Sequence, residues 1–126
     1  MASLSLLIAE LNRLIETNQT IEAIERFYAD DVTMQENQHE PRVGKATCLT
    51  HEQQMLASVW AMNATLLRQA INEATGTAFS EWMFAFTDLI DKRCRLTEIS
   101  VQQWRNERSW SETFYYSKVL TEPRKR

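Results

Sequence analysis

The sequence predicts an α+β domain: three N-terminal helices packed on a mainly antiparallel sheet. Three observations predict it. In the first half of the chain apolar residues recur at three- and four-residue spacing, the period of a helix face. From Thr65 to Ser117 that period fades and β-favouring residues dominate. The breaks within the second half are only two or three residues long, which suits antiparallel hairpins.

Leu4, Leu7, Ile8, Leu11, Leu14 and Ile15 form the stripe of the first helix. Thr17 to Thr20 is a polar break, and Thr20 is a candidate N-cap for the second helix. Ile21, Ile24, Phe27 and Tyr28 form that helix's stripe, and Asp30-Asp31 should end it. Val32 to Glu36 alternates like a short strand. Asn37 to Arg42 is polar, holds Pro41, and reads as a loop. After Gly44 a third helix is expected from Lys45 to about Met62, with Cys48, Leu49, Met55, Leu56, Val59 and Trp60 on a broad face. Four strands should come next: Thr65–Ala74, Ala78–Ile90, Arg93–Arg105 and Ser109–Ser117.

The strand Ala78–Ile90 is apolar on both sides. Trp82, Phe84 and Phe86 fall on one face, and Met83, Ala85 and Leu89 on the other. One face can cover the helices. The other needs cover too, from a second copy of the chain or from its own C-terminal strand; a homodimer is the expectation.

The 126 residues fit one domain, placed at 1–121, with 122–126 as a short basic tail. Lys and Arg number 14 against 17 Asp and Glu, a net charge of −3, and no basic cluster suggests nucleic acid as a partner. The apolar run at the N-terminus is broken by Glu10 and Arg13 and lacks the basic start of a secretory leader. No stretch has the roughly 20 apolar residues a membrane span requires. Cys48 and Cys94, far apart and with no leader, read as reduced thiols in the cytoplasm. No Cys/His cluster offers a zinc site, two glycines cannot make a phosphate loop, and no cofactor is expected.

Phe27-Tyr28-Ala29-Asp30-Asp31-Val32-Thr33, followed by Pro41-Arg42-Val43-Gly44-Lys45, resembles a signature of the nuclear-transport-factor-2-like superfamily. That group includes ketosteroid isomerases, scytalone dehydratase and SnoaL-type polyketide cyclases. The order of elements agrees over nearly the whole chain. The resemblance implies a cone-shaped barrel whose curved sheet wraps a long helix and leaves a deep apolar pocket, often with dimerisation through the outer sheet face. It is nearly silent on activity, because the fold hosts enzymes and binding modules alike.

Ketosteroid isomerases carry a general-base carboxylate late in the first strand, where this chain has Glu36. Strand alternation puts Glu36 on one face with Val32 and Met34. Such a carboxylate could take a proton beside a carbonyl and return it elsewhere; the alternative is a solvated rim residue. The resemblance places Asn12 where those enzymes have a tyrosine, and Ser100 where they have a protonated aspartic acid, a departure that weakens steroid isomerisation. Glu98 shares a strand face with Leu96, Ser100 and Gln102, and so stands as a second candidate acid or base. Its alternative is pairing with Arg93, Arg95 or Arg105. SnoaL-type cyclases use a late-strand histidine and aspartate, matched by neither His39 nor His51. Trp60, Trp82, Trp104, Trp110, Tyr115 and Tyr116 can line a pocket for a flat apolar ligand or fill core and interface; Trp60 and Trp104 join Met34, Asn12, Ser100 and Gln102 as candidate pocket residues.

Two functions fit these residues. One is binding of a small apolar molecule, with cofactor-independent acid–base chemistry of isomerase, cyclase or dehydratase type through Glu36. The other is a non-catalytic dimerisation or association module whose cone is filled by its own side chains.

Overall fold

A computed structural model describes residues 3–122; the basic tail Pro123 to Arg126 lies outside them. Helix α1 (Leu4–Glu16) starts at Ser3, whose side chain accepts from the Leu6 N–H, and buries Ile8, Leu11 and Leu14. Helix α2 (Thr20–Phe27) buries Ala23, Ile24 and Phe27. The chain then turns into strand at once: β1 spans Tyr28–Glu36. Asp30 and Asp31 therefore do not follow a helix but lie within β1, on its exposed side. A two-residue strand β2 (Arg42–Val43) pairs back on β1, in what the sequence reads as loop.

Helix α3 (Lys45–Ala57) is shorter than its apolar content suggests. Ser58 ends it, its hydroxyl donating 2.6 Å to the Met55 carbonyl. The β-branched Val59 and the indole of Trp60 then begin β3 (Val59–Asn72), six residues before the expected start at Thr65. A bulge at Ala61, with φ of +54°, separates Trp60 from the regular part of the strand. Strands β4 (Thr77–Asp88), β5 (Arg93–Arg105) and β6 (Arg108–Tyr115) continue as a meander, and β7 (Leu120–Thr121) pairs with β5. β4 stops at Asp88, whose carboxylate caps the hairpin by accepting from Ile90 and Lys92 N–H. Leu89 and Ile90 are thus exposed turn residues, not part of a sheet face. Asn106 and Glu107, both at positive φ, make the two-residue turn into β6.

The sheet order is β2-β1-β6-β5-β4-β3, antiparallel throughout except for β1 against β6. This is the predicted α+β architecture. Register fixes what faces inward. Met34, Glu112, Gln102, Ala78 and Ile71 form one row across five strands. Glu36, Phe114, Ser100, Ser80 and Gln69 form the next, then Glu98, Trp82 and Leu66, then Leu96, Phe84 and Ala64. The first rows lie over α1 and α2 and close the core, with Ile8, Leu11, Leu14 and Phe27 beneath them. The last rows reach beyond that core.

Gly76 sits at φ +67° in the β3–β4 turn, its carbonyl accepting from Trp104 N–H. A Cβ there would stand 2.5 Å from the Trp104 carbonyl oxygen. Gly76→Ala is expected to destabilise by more than the ~1–3 kcal/mol of backbone strain alone. Urea unfolding checks this; a loss below that range would show that the turn relaxes.

Candidate functional site

Where the sheet curves past the core, β1, β4, β5 and β6 and helix α3 enclose a cavity of about 290 Å³. Trp82, Phe84, Phe86 and Leu96 give it an apolar wall from the sheet, and Met55 and Leu56 supply another from α3. The inward face of β4 is thus the one carrying Trp82, Phe84 and Phe86. Trp82 and Phe84 stack with centroids 6.0 Å apart.

The polar groups come from four elements. Glu112, on β6, is buried at the inner end. Its Oε1 accepts from the Tyr28 hydroxyl at 2.5 Å, and its Oε2 accepts from Ser100 at 2.6 Å and from the Gln102 amide at 2.8 Å. The Gln102 amide also donates to Tyr28 Oη at 3.2 Å. Trp104 Nε1–H, which can only donate, gives its hydrogen to Gln102 Oε1 at 3.0 Å. The indole thus fixes which end of the amide faces Glu112. Three donors converge on one carboxyl, the environment of a carboxylate. Burial works the other way and raises the Glu112 pKa, while Ser100, Tyr28 and Gln102 pull it down. Tyr28 is held far above its ordinary pKa by burial, then by the Glu112 charge, so its hydroxyl stays a donor.

Glu98 stands one row outward and is 8% exposed. Among the described residues no group hydrogen-bonds or ion-pairs with its carboxyl, which faces the cavity. Arg93, Arg95 and Arg105 are all on the opposite face of β5. Arg93 pairs with Glu122, and Arg105 lies over the Trp110 ring. Burial, then the neighbouring charges of Glu112, Glu36 and Glu52, push the Glu98 pKa up to about 8. Glu52 of α3 also lines the cavity, and burial followed by Glu112 raises its pKa to about 7. Glu36 sits at the wall with Arg42, whose Nη1 is 3.2 Å from Glu36 Oε2. The Arg42 Nε–H is buried without a partner.

The sequence candidates divide accordingly. Glu36, Glu98, Met34 and Ser100 meet at the cavity. Gln102 and Trp104 lie behind it and act on it through Glu112. Asn12 is buried but spent elsewhere: its amide donates 3.0 Å to Gln69, whose own amide donates 2.7 Å to Ser80. Trp60, once α3 has ended, is 56% exposed and does not line the cavity. His51 reaches the wall, whereas His39 is exposed in its turn. Sequence reasoning missed Glu52, Glu112, Tyr28 and Arg42.

Glu98 and Glu52 keep their protons to higher pH in the fold than the 4.5 of an ordinary glutamate. Above that value the unfolded chain releases protons the folded chain retains, so the stability these two groups contribute is fully present below pH 4.5 and is lost as the pH rises through their folded values of about 7 and about 8. The melting temperature should therefore be higher at pH 5 than at pH 8.5. Glu98→Gln should flatten the decline, and an unchanged slope would assign it to other groups.

No family model matches the chain, and no curated protein matches it. Solved structures do. A proposed SnoaL-like polyketide cyclase from Mesorhizobium loti matches with a TM-score of 0.78 at 17% identity, over 91% of this chain and 100% of that one. An NTF2-like protein of unknown function from Burkholderia pseudomallei matches at 0.79 and 10% identity, over 93% and 92%. An LEH-like epoxide hydrolase from M. tuberculosis matches at 0.71 and 13% identity, over 88% and 80%. At such identities the likeness is one of fold: the chain has the nuclear-transport-factor-2-like α+β cone that SnoaL-like proteins share.

Proposed function

We propose that the cone binds a small, largely apolar molecule and moves protons on it without a cofactor. Glu98 gives its proton to a basic heteroatom of the ligand, and Glu36, held by Arg42, takes a proton from the ligand. One observation carries this reading: a buried carboxyl, with no hydrogen-bond partner among the described residues, at the wall of a cavity that also offers the apolar surface of Trp82, Phe84, Phe86 and Leu96. Such a carboxyl opens only to the cavity, where a ligand heteroatom can take the place of a protein partner. The named activities of the fold neighbours, a proposed cyclase and an epoxide hydrolase, are compatible with acid–base chemistry in such a cone. The polarity of the cavity narrows the choice. An enolate needs donors or positive charge around its oxygen, whereas this wall is rich in carboxyls and its arginine already pairs with one. Chemistry in which positive charge develops on the ligand fits better.

Native mass spectrometry of the freshly purified protein, set against its denatured mass, tests the binding. A defined extra mass is expected. Glu36→Gln and Glu98→Gln should each lower turnover of the retained molecule by about 10²–10⁴-fold, the range for a general acid or base, with the fold intact. Unchanged turnover removes that residue from the mechanism. No adduct would favour the association module.

The outer sheet face supports a second copy of the chain as partner. Phe79 is 50% exposed there, with Met83, Ala85, Ile99 and Val101 forming the adjoining surface. Sedimentation should give a dimer, and Ile99→Glu a monomer with the same melting profile. A monomeric wild type overturns this partner.

A further inference from the structure

We infer that the ligand of the cone is an organic cation, an amine on an apolar body, whose ammonium group sits between Glu98 and Glu52 against the Trp82–Phe84 wall. The inference rests on the binding reading above and specifies its ligand class. The charges facing Glu98 come from every element around it. β1 and β6 contribute Glu36 and Glu112, and α3 contributes Glu52. β2 contributes Arg42, the one arginine that lines the wall among the described residues, where no lysine lines it. His51 and Cys48 of α3 and Tyr28 of β1 also line the cavity, and Tyr116, just beyond β6, hydrogen-bonds Glu36 and feels the charge of Glu98. Four carboxyls thus face one guanidinium, and that guanidinium is already engaged by Glu36.

An acidic cluster alone would not specify a ligand. The second observation is the state of its members. Glu112 is saturated by three donors, while Glu98, more than nine-tenths buried, has no partner among the described residues and opens only to the cavity. Glu52 lines the same cavity and likewise accepts no hydrogen bond from the described residues. A metal ion is a poor occupant, because no three His, Cys, Asp or Glu among the described residues are grouped to hold one. The stacked Trp82 and Phe84 instead offer π faces beside the free carboxyls, the pairing that recognises ammonium groups. Proton balance is simple. Glu98 transfers its proton to the neutral amine, or releases it to solvent when the amine arrives already protonated, and the ion pair replaces an isolated buried acid. The negative field that keeps Glu98 protonated in the free cone is the field that attracts the cation.

The test uses three probes of one shape: 2-phenylethylamine, 2-phenylethanol and 3-phenylpropanoate. Binding to the intact protein is measured by calorimetry at pH 7 in two buffers of different ionisation enthalpy. Indole NMR shifts at Trp82 report the site. The amine should bind at least tenfold more tightly than the alcohol, the carboxylate should not bind, and the amine alone should release protons to buffer. Glu98→Gln should reduce amine affinity at least tenfold and abolish that release. Alcohol binding at Trp82 equal to or tighter than the amine's would overturn the cation inference and leave the apolar-pocket reading standing. Binding of none of the three would overturn both.

Discussion

Glu112 sets the terms for the inner half of the fold. A carboxyl at the middle strand of a covered sheet is costly unless its lone pairs are filled. Here β1 supplies Tyr28, and β5 supplies Ser100 and Gln102, each within 2.8 Å. These donors reach Glu112 only because β1 runs parallel to β6 and β5 antiparallel to it, in the register that sets Met34, Glu112 and Gln102 in one row. Trp104 locks the amide from behind. A slip of one residue in β5 would turn Gln102 and Ser100 outward and strand the carboxyl. The polar network therefore specifies register as well as local stability.

The same charge shapes the cavity. Glu112 contributes to the raised pKa of both Glu98 and Glu52, after burial itself. The network behind the wall thus adds to what burial does to the protonation of side chains it does not touch. Protonated, as burial favours, Glu98 is a donor; opposite the proposed cation it would be an acceptor. One buried carboxyl offers both behaviours because no protein group within the described residues has claimed it. The Glu36–Arg42 pair is different. Its carboxylate is in direct contact with a guanidinium, which separates the surroundings of two glutamates that share a wall.

Much of this was legible in the sequence, and the reasons for success and failure are physical. Period-2 parity placed Glu98, Ser100 and Gln102 on one face and Glu36 with Met34, because alternation along a strand is local. Parity within β4 separated Trp82, Phe84 and Phe86 from Met83 and Ala85 correctly. Glu112 escaped because Ser111-Glu112-Thr113 is polar on both sides, so alternation gives no inward direction; only pairing with β5, a long-range fact, decides it. Glu52 escaped because α3 has interleaved polar and apolar residues, with Cys48 its one buried side chain. Trp60 was misplaced because Met55 to Met62 is apolar except for Ser58, with no Gly or Pro to mark the stop. The helix ends there through Ser58 and the β preference of Val59 and Trp60.

The neighbours in fold show how little the frame decides. A proposed polyketide cyclase and an epoxide hydrolase overlay on this chain about equally well, at identities below 20%. The hydrophobic rows and the curved sheet suffice for such an overlay, since they answer to burial and strand register. What distinguishes one cone from another is the sign and connectivity of the few polar groups in the wall. In this chain the wall's arginine is neutralised, one carboxyl is saturated from behind, and two others face the cavity. An anion forming in that space would meet an opposing field at short range, in surroundings where water screens little. A cation, or a group gaining a proton, would meet partners already in place. The electrostatics of four glutamates thus constrain the chemistry more tightly than the fold does.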